Sequence, residues 1–289
     1  MKKKYCAIIL VTLNFIPLFG QNNNCKDQIL DYRDFIETDS TKWCLTLSKD
    51  DRIALFYFGA IHSKDPSNIQ FNEIEKAWSR EKFDIALYEG PNRGIFSTKE
   101  ETIEKLGESG FLRFLASRDS VEVLSLEPDP IKEINYLLDY FPIEKIKLFF
   151  LLREAQRVRE SFNWEEVQIK SHIENVLTKA NSLPVLNNTV LNIRDIENSF
   201  IKYWGTGIKW WEAPSNWFDP LQASEKTGGI FTNDINRYSS NYRNTHMFDL
   251  ITSFFHKNKR VFAIVGRNHI PMQSKALKCE WERLSANRN

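Results

Sequence analysis

The segment IALFYFGAIH at residues 53–62 decides the fold that we expect for this chain. Its first six residues are apolar and rich in β-formers, and Gly-Ala-Ile-His follows them, which is typical of a buried strand that ends in a turn. The segment RVFAIVGRNH at 260–269 has the same form and ends in Gly-Arg-Asn-His. Two buried strands, each leading into a Gly-x-x-His turn, are therefore predicted far apart in the chain.

Two further apolar runs of strand length lie between these segments, FDIALY at 83–88 and VEVLSL at 121–126. Residues 68–80 and 99–116 separate the first three runs and have the apolar spacing of helices. Alternation of strands and helices, with strands that are apolar on both faces, predicts an α/β fold. We expect a mostly parallel central sheet flanked by helices.

The chain changes character between residues 131 and 259, where no convincing strand is present. Helical spacing of apolar residues recurs there four times, at 143–161, 164–180, 193–203 and 233–257. This pattern predicts a large helical insert before the last strand, within a single α/β domain at 21–289. An aromatic-rich segment at 203–218 is interpreted either as a hydrophobic lid or as core packing.

The N-terminus has the parts of a secretory signal peptide at residues 1–20. Three lysines at 2–4 precede an apolar stretch at 5–19, and Gly20 precedes a polar region. We expect cleavage near Gly20 and export to a periplasm or to the outside, with a retained N-terminal anchor as the alternative. The apolar stretch is shorter than the roughly 20 residues of a membrane span, so no stable span is expected after cleavage.

Charge and cysteine content limit the partners. Without the lysines at 2–4, 36 of the 39 basic residues remain against 38 acidic ones, which gives no reason to expect nucleic acid or an anionic membrane. A small-molecule or peptide substrate is expected instead. Cys25, Cys44 and Cys279 remain, and either Cys25–Cys44 or Cys44–Cys279 would be a reasonable disulfide in an oxidising compartment. The absence of a CxxC pair disfavours a zinc site built from thiolates.

Acid–base side chains follow each of the four predicted strands. His62 and His269 follow the first and the last, while Glu89 and Glu127 follow the second and the third. The carboxyl ends of parallel strands share one edge, where ligands bind in open α/β sheets. A single histidine there is usually an ordinary surface residue, and a single glutamate often belongs to a helix start. The four together favour one active cleft.

Arg243 is a fifth candidate. Residues 242–247 are interpreted as the opening of the helix that returns to the last strand. Arg243 would then point into the same cleft and donate to an anion or a carbonyl, since guanidinium is a rigid fork of donors. The alternative interpretation is a surface salt bridge.

These motifs resemble those of the TraB/GumN/TIKI family, within the erythromycin-esterase-like superfamily. The matching elements are Gly-Ala-Ile-His at 59–62, Tyr-Glu-Gly at 88–90, Arg243-Asn244-x-x-Met247, and Gly-Arg-Asn-His at 266–269. The resemblance spans about residues 53–277, although the middle third has no counterpart, and Arg-Asn at 267–268 replaces the small residues that are common there.

The resemblance implies an α/β fold with both Gly-x-x-His motifs at one active edge. It carries candidate roles onto His62, Glu89, Arg243 and His269, and Glu127 is added from the pattern of strand ends. Family members include a divalent-metal-dependent protease of secreted signalling proteins and hydrolases that activate water with histidine and glutamate.

The leading hypothesis is an exported hydrolase that cleaves an ester or a peptide bond with water. One route activates water on zinc, manganese or cobalt held by His62, Glu89 and His269. The other uses His62 or His269 as a direct general base, oriented by a neighbouring glutamate, while Arg243 stabilises developing negative charge. No Gly-x-Ser-x-Gly elbow is present, which disfavours a serine nucleophile. The alternative is a non-catalytic haem- or metal-binding protein of the same fold.

Overall fold

The computed structural model describes residues 24–34, 43–49 and 52–286, so the predicted signal peptide lies outside the described residues. The described chain has an α/β fold built on a five-stranded sheet with strand order β1-β2-β5-β3-β4. The strands are β1 (Cys44–Lys49), β2 (Arg52–Ala60), β3 (Ile85–Tyr88), β4 (Glu122–Ser125) and β5 (Val261–Gly266). All neighbouring strands are parallel except β1, which pairs antiparallel with β2.

The helices follow the predicted alternation. They are α1 (Ile69–Trp78), α2 (Lys99–Arg118), α3 (Pro130–Leu138), α4 (Ile143–Phe162), α5 (Glu166–Asn181), α6 (Ile193–Trp204), α7 (Ser224–Thr227), α8 (Thr232–His256) and α9 (His269–Ala286). The predicted mostly parallel sheet and the helical segment before the last strand are confirmed. None of the described helices is long and apolar enough to cross a membrane.

The sheet is covered on both faces, as continuous apolar strands require. Successive side chains of a strand point to opposite faces, and β2 shows this directly. Phe56 and Phe58 pack with the helices α1 and α2, whereas Leu55 and Tyr57 pack with α8 and α9. Two apolar cores, one on each face, therefore fix the sheet and orient its carboxyl edge.

The helical insert has an apolar core of its own, formed mainly by α4, α5 and α6. Trp210 and Trp217, from the aromatic-rich segment, are buried in this core. Of the two interpretations of that segment, core packing is therefore correct for these side chains. Helix α8 joins the insert to the sheet, because Ile235 belongs to the insert core and Met247 to the sheet core.

The N-terminal segment is held against α9. Cys25 forms a disulfide with Cys279, 254 residues away, and Leu30 N donates to Met272 O at 3.0 Å. Neither of the two pairings expected from the sequence is therefore present, and Cys44 remains a free thiol. The disulfide brings the chain before the first strand to the side of the sheet on which α9 lies.

Candidate active site

The two Gly-x-x-His motifs lie side by side because their strands are parallel neighbours. In the register of β2 and β5, Gly59 is opposite Val265 and Ala60 is opposite Gly266. The pairing continues one residue past β5, where Arg267 N donates to Ala60 O at 3.0 Å. Both turns therefore leave the sheet at the same edge.

Gly59 is needed because the second motif packs directly on it. A β-carbon at this position would lie 2.7 Å from Ile270 Cγ1, 2.8 Å from Arg267 Cα and 2.9 Å from Trp43 Cβ. Ordinary contacts between carbon atoms are about 3.5–4.0 Å, so no larger residue fits without a shift. The first glycine of the motif thus allows the start of α9 to approach β2.

Gly266 lies at the point where the candidate side chains meet. A β-carbon built there would be 3.3 Å from Glu89 Oε2, 3.5 Å from His62 Nε2 and 3.8 Å from His269 Cδ2. The structure therefore brings together both histidines and the glutamate, as the pattern of strand ends predicted.

His62 is paired with a buried carboxylate that the sequence analysis missed. Its Nδ1 lies 2.5 Å from Glu108 Oε1, and the side chain of Glu108 is 8% exposed while that of His62 is 78% exposed. The hydrogen bond to Glu108 raises the pKa of His62 above its ordinary value, and partial desolvation of the ring by neighbouring groups only partly opposes this effect. With Nδ1 engaged, Nε2 is the nitrogen that faces Gly266.

A break in α2 brings Glu108 to this position. Gly107 has φ 63° and ψ −151° inside the helix, a conformation that strongly favours glycine. A β-carbon at Gly107 would also lie 3.0 Å from Ser63 O, next to His62. The break therefore lets α2 approach the first motif closely.

Glu89 is held as a carboxylate by three groups. Arg243 Nη2 donates to Oε1 at 2.6 Å, Gly266 N donates to Oε2 at 2.6 Å, and His269 Nε2 lies 3.5 Å from Oε1. Burial alone would raise the pKa of Glu89. The charges of His269 and Arg243 and the hydrogen bonds outweigh burial and hold this pKa well below its ordinary value.

Arg243 joins Glu89 to Glu127. Its Nε and Nη2 donate to the two carboxylate oxygens of Glu127 at 3.0 and 2.8 Å, and Gly90 N donates to Glu127 Oε1 at 2.9 Å. Burial would lower the pKa of Arg243, but the charges of Glu89 and Glu127 raise it. The prediction that residues 242–247 open a helix is wrong, because Arg243 lies in the middle of α8. Its alternative interpretation as a surface salt bridge is also wrong, since only 14% of the side chain is exposed.

His269 is the first residue of α9 and is buried among polar groups. Its Nδ1 lies 2.6 Å from Asn244 Oδ1, and Gln273 Nε2 donates to the same oxygen at 2.9 Å. An amide oxygen only accepts, so Nδ1 of His269 carries a proton and Nε2 faces Glu89. Asn244 thus fixes the orientation of His269, one residue after the arginine that holds Glu89.

Two lobes of one cleft meet at these residues. The wider lobe has a volume of about 680 Å³ and the narrower about 460 Å³, and His62, Glu89 and Gly266 line both. Tyr32, from the disulfide-bound N-terminal segment, lines the narrower lobe, where burial raises its pKa to about 12. Neutral Tyr32 therefore closes one side of the cleft.

The side chains expected to bind a metal are not arranged to do so. Among the described residues, no group of three or more His, Cys, Asp and Glu side chains has the geometry of a metal site. Both oxygens of Glu89 already accept hydrogen bonds, and the positive charge of Arg243 lies 2.6 Å away, which would repel a cation. The donor set in this arrangement does not fit zinc, manganese or cobalt.

Glu108 and Arg153 are two charged groups near the site that sequence reasoning missed. Gly107 inside a helical pattern was the available signal for Glu108. No sequence signal pointed to Arg153, because an arginine in an amphipathic helix is ordinary. Burial lowers the pKa of Arg153 and the nearby charge of Arg243 lowers it further, whereas Glu133, Glu127 and Glu89 oppose both effects.

Comparison of the chain with models of protein families, with curated proteins and with solved structures found no match.

Proposed function

We propose that this protein is an exported hydrolase that cleaves an ester or a peptide bond, with His62 as the general base. The observation that carries the proposal is the pair formed by His62 and buried Glu108, which leaves His62 Nε2 facing the cleft. A histidine oriented by a carboxylate, with its other nitrogen free, is the usual arrangement of a general base.

Water is the proposed nucleophile. His62 Nε2 removes a proton from water as the oxygen attacks the carbonyl carbon, and the carbonyl oxygen becomes an oxyanion. The tetrahedral intermediate then collapses, the bond to the leaving alcohol or amine breaks, and the imidazolium of His62 returns the proton to the leaving group. Glu108 stabilises the imidazolium between these two steps.

The N-terminus of α9 is the proposed oxyanion site. In the described part of the chain, the backbone N–H groups of Asn268 and His269 have no hydrogen-bond acceptor. Both residues line the narrower lobe beside His62. Free N–H groups at the start of an 18-residue helix carry partial positive charge and suit a developing negative charge.

Glu89, Arg243 and Glu127 have a positioning role in this scheme. The N–H groups at Nε and Nη2 of Arg243 already bind carboxylates, so the arginine stabilises the cleft more than it binds substrate. Glu89 ties Gly266 N and Arg243 together, which holds the second motif against β3. Glu89 Oε1 also lies 3.5 Å from His269 Nε2 and so helps to orient the imidazole ring of His269.

Membership of the TraB/GumN/TIKI family and cleavage of a signal peptide near Gly20 are parts of the same proposal. They rest on the order of motifs and on the composition of residues 1–20. The convergence of both motifs at one edge of a parallel sheet supports the family assignment. We derive no step through a metal, because the donor set does not fit one.

The test measures hydrolysis of a panel of 4-nitrophenyl esters and fluorogenic peptides by the full chain and three variants. His62→Gln should lower kcat/KM by about 10²–10⁴-fold, as expected for loss of a general base. His256→Gln is the matched control, since His256 is also an exposed histidine paired with a buried glutamate, Glu280, at 3.1 Å. Glu108→Gln should change the pH profile as well as the rate.

The result that would refute the proposal is equal activity in His62→Gln and His256→Gln, or no hydrolysis by the wild type. A Soret band on addition of haemin, lost in His62→Ala, would instead support the haem-binding alternative. Elemental analysis of the purified protein, repeated for His62→Ala and His269→Ala, tests the metal-binding alternative.

A further inference from the structure

The wider lobe of the cleft is rich in basic side chains, although the whole chain has a formal charge of only +1. Five cations line it: Lys64, Arg93, Lys105, Arg113 and Arg157. Three carboxylates line it as well, namely Glu89, Glu108 and Glu127. The partners of these charges determine which of them remain free for a ligand.

Each carboxylate of the lobe already has a partner. Glu89 and Glu127 share Arg243, and Glu108 is paired with His62. Arg243 offsets one of the two charges of Glu89 and Glu127, and His62 offsets the charge of Glu108 only when it is protonated. The five cations that line the lobe outnumber the negative charge that remains.

Within the described residues, four of the five cations have no carboxylate partner, and three of these four are exposed. Arg113 donates to Pro91 O and Arg157 binds Glu154, but Lys64, Arg93 and Lys105 make no hydrogen bond or ion pair within the described residues. All three are exposed. The mouth of the lobe thus presents three free positive charges.

An apolar surface lies beside these charges. Phe162 is 46% exposed and lines the lobe, with Lys64 Nζ 6.0 Å and Arg157 Cζ 5.8 Å from the centre of its ring. An aromatic ring between two cations is a surface for a ligand that combines an apolar group with negative charge. A purely apolar ligand would leave the cations unused.

Helix α4 carries a further cation, Arg153, on the face that lines the lobe. Arg153, Arg157 and Ser161 are spaced four residues apart and therefore share one face of the helix. Arg157 and Ser161 line the lobe, and Arg153 lies one turn further along. Arg153 Cζ lies 5.9 Å from the centre of the Phe149 ring, and its guanidinium has no hydrogen bond or ion pair among the described residues.

We propose that the cleft selects substrates that carry an anionic group, such as a carboxylate, sulfate or phosphate, next to an apolar one. Lys64, Arg93 and Lys105 attract the anion, and Phe162 contacts the apolar part. This proposal names the substrate class of the same site. That such a ligand is hydrolysed rests on the proposed function, whereas its binding to the cleft does not.

Isothermal titration calorimetry with a matched pair of probes tests this binding. The probes are 1-naphthalenesulfonate and the neutral 1-naphthalenemethanol, which share one ring system. At low salt the wild type should bind the sulfonate about tenfold tighter than the alcohol. Each of the three cations attracts the sulfonate only weakly because the charges are exposed to water, but the three attractions add. Salt at about 0.5 M should reduce the preference.

The variant Lys64→Gln/Arg93→Gln/Lys105→Gln should lose most of the preference for the sulfonate. The control Lys82→Gln/Lys226→Gln/Lys278→Gln removes three exposed charges outside the cleft and should keep the preference. Equal binding of both probes by the wild type, binding of neither, or a preference that survives the first triple variant would overturn the inference.

The binding assay measures no turnover, so the proposed substrate class and the proposed hydrolase activity can be refuted independently. Ester or peptide hydrolysis without a preference for the anionic probe would overturn the substrate class alone. A preference for the anionic probe in a protein that hydrolyses nothing would overturn the hydrolase alone.

Discussion

Replacement of Gly59 by alanine tests the packing of the two motifs. The new β-carbon would lie 2.7–2.9 Å from three atoms, and one of them, Arg267 Cα, belongs to the backbone and cannot rotate away. Overlaps of this size in a packed region cost about 1–3 kcal/mol, and three together favour the upper end. The lower entropy of the unfolded chain with alanine returns roughly 0.4–1 kcal/mol. A net loss of about 2 kcal/mol in the free energy of unfolding is expected.

Urea unfolding followed by tryptophan fluorescence measures this loss, with Gly207→Ala as the matched control. A β-carbon at Gly207 meets no atom within 4 Å, and its φ is not positive, so only the entropic gain applies. The Gly59 variant should have a lower midpoint at an unchanged m-value, and a Tm lower by roughly 5 °C. Equal stability of the two variants would show that the start of α9 does not pack against β2 as described.

The remaining predictions concern the charge network, the disulfide and metal dependence. Arg243→Leu leaves two part-buried carboxylates without their shared arginine and should destabilise the fold by about 3–5 kcal/mol, whereas Arg118→Leu, at an exposed pair with Asp119, should cost less than about 1 kcal/mol by the same urea assay. The folded pKa of Glu89 lies well below 4.5, so the contribution of Glu89 to stability is present above pH 4.5 and is lost as the pH falls through that lower pKa. In Glu89→Gln, the free energy of unfolding should therefore fall less steeply with decreasing pH than in the wild type. An unchanged slope would contradict the assignment. Replacement of both Cys25 and Cys279 by serine should cost about 2–4 kcal/mol, and an unchanged midpoint would count against the bond. Ester hydrolysis should persist after dialysis against EDTA, because the donor set does not fit a metal. If EDTA abolished the activity and zinc, manganese or cobalt restored it, that conclusion would be reversed.

The sheet was predictable because its strands carry a strong local signal. The apolar runs that became β2 and β5 are continuous, and each is followed by Gly-x-x-His, so their adjacency placed His62 and His269 together. The edge strand β1 was missed because, among its described side chains, Leu45 and Leu47 are the buried ones, and two alternating apolar residues are a weak pattern.

The groups that complete the site could not be derived from strand ends. Glu108 lies within a helix, where an acidic residue is ordinary until tertiary contacts are known. Arg243 was a candidate from the sequence, but its position in the middle of α8 and its pairing with Glu89 and Glu127 depend on tertiary structure. The disulfide between Cys25 and Cys279 also depends on tertiary structure, since the docking of the N-terminal segment on α9 brings the two cysteines together. Local pattern thus located the cleft, while long-range packing supplied the partners of His62 and Glu89.

The dependence of kcat/KM on pH, measured on one 4-nitrophenyl ester for the wild type and Glu108→Gln, tests the role of His62 most directly. A general base must be neutral, and Glu108 raises the pKa of His62 above 6.5, so activity should fall as the pH decreases through that raised value. Without the carboxylate, the acid limb should move to lower pH and the maximal rate should fall. An acid limb at the same pH in both proteins would contradict the assignment of His62 and Glu108 as the catalytic pair.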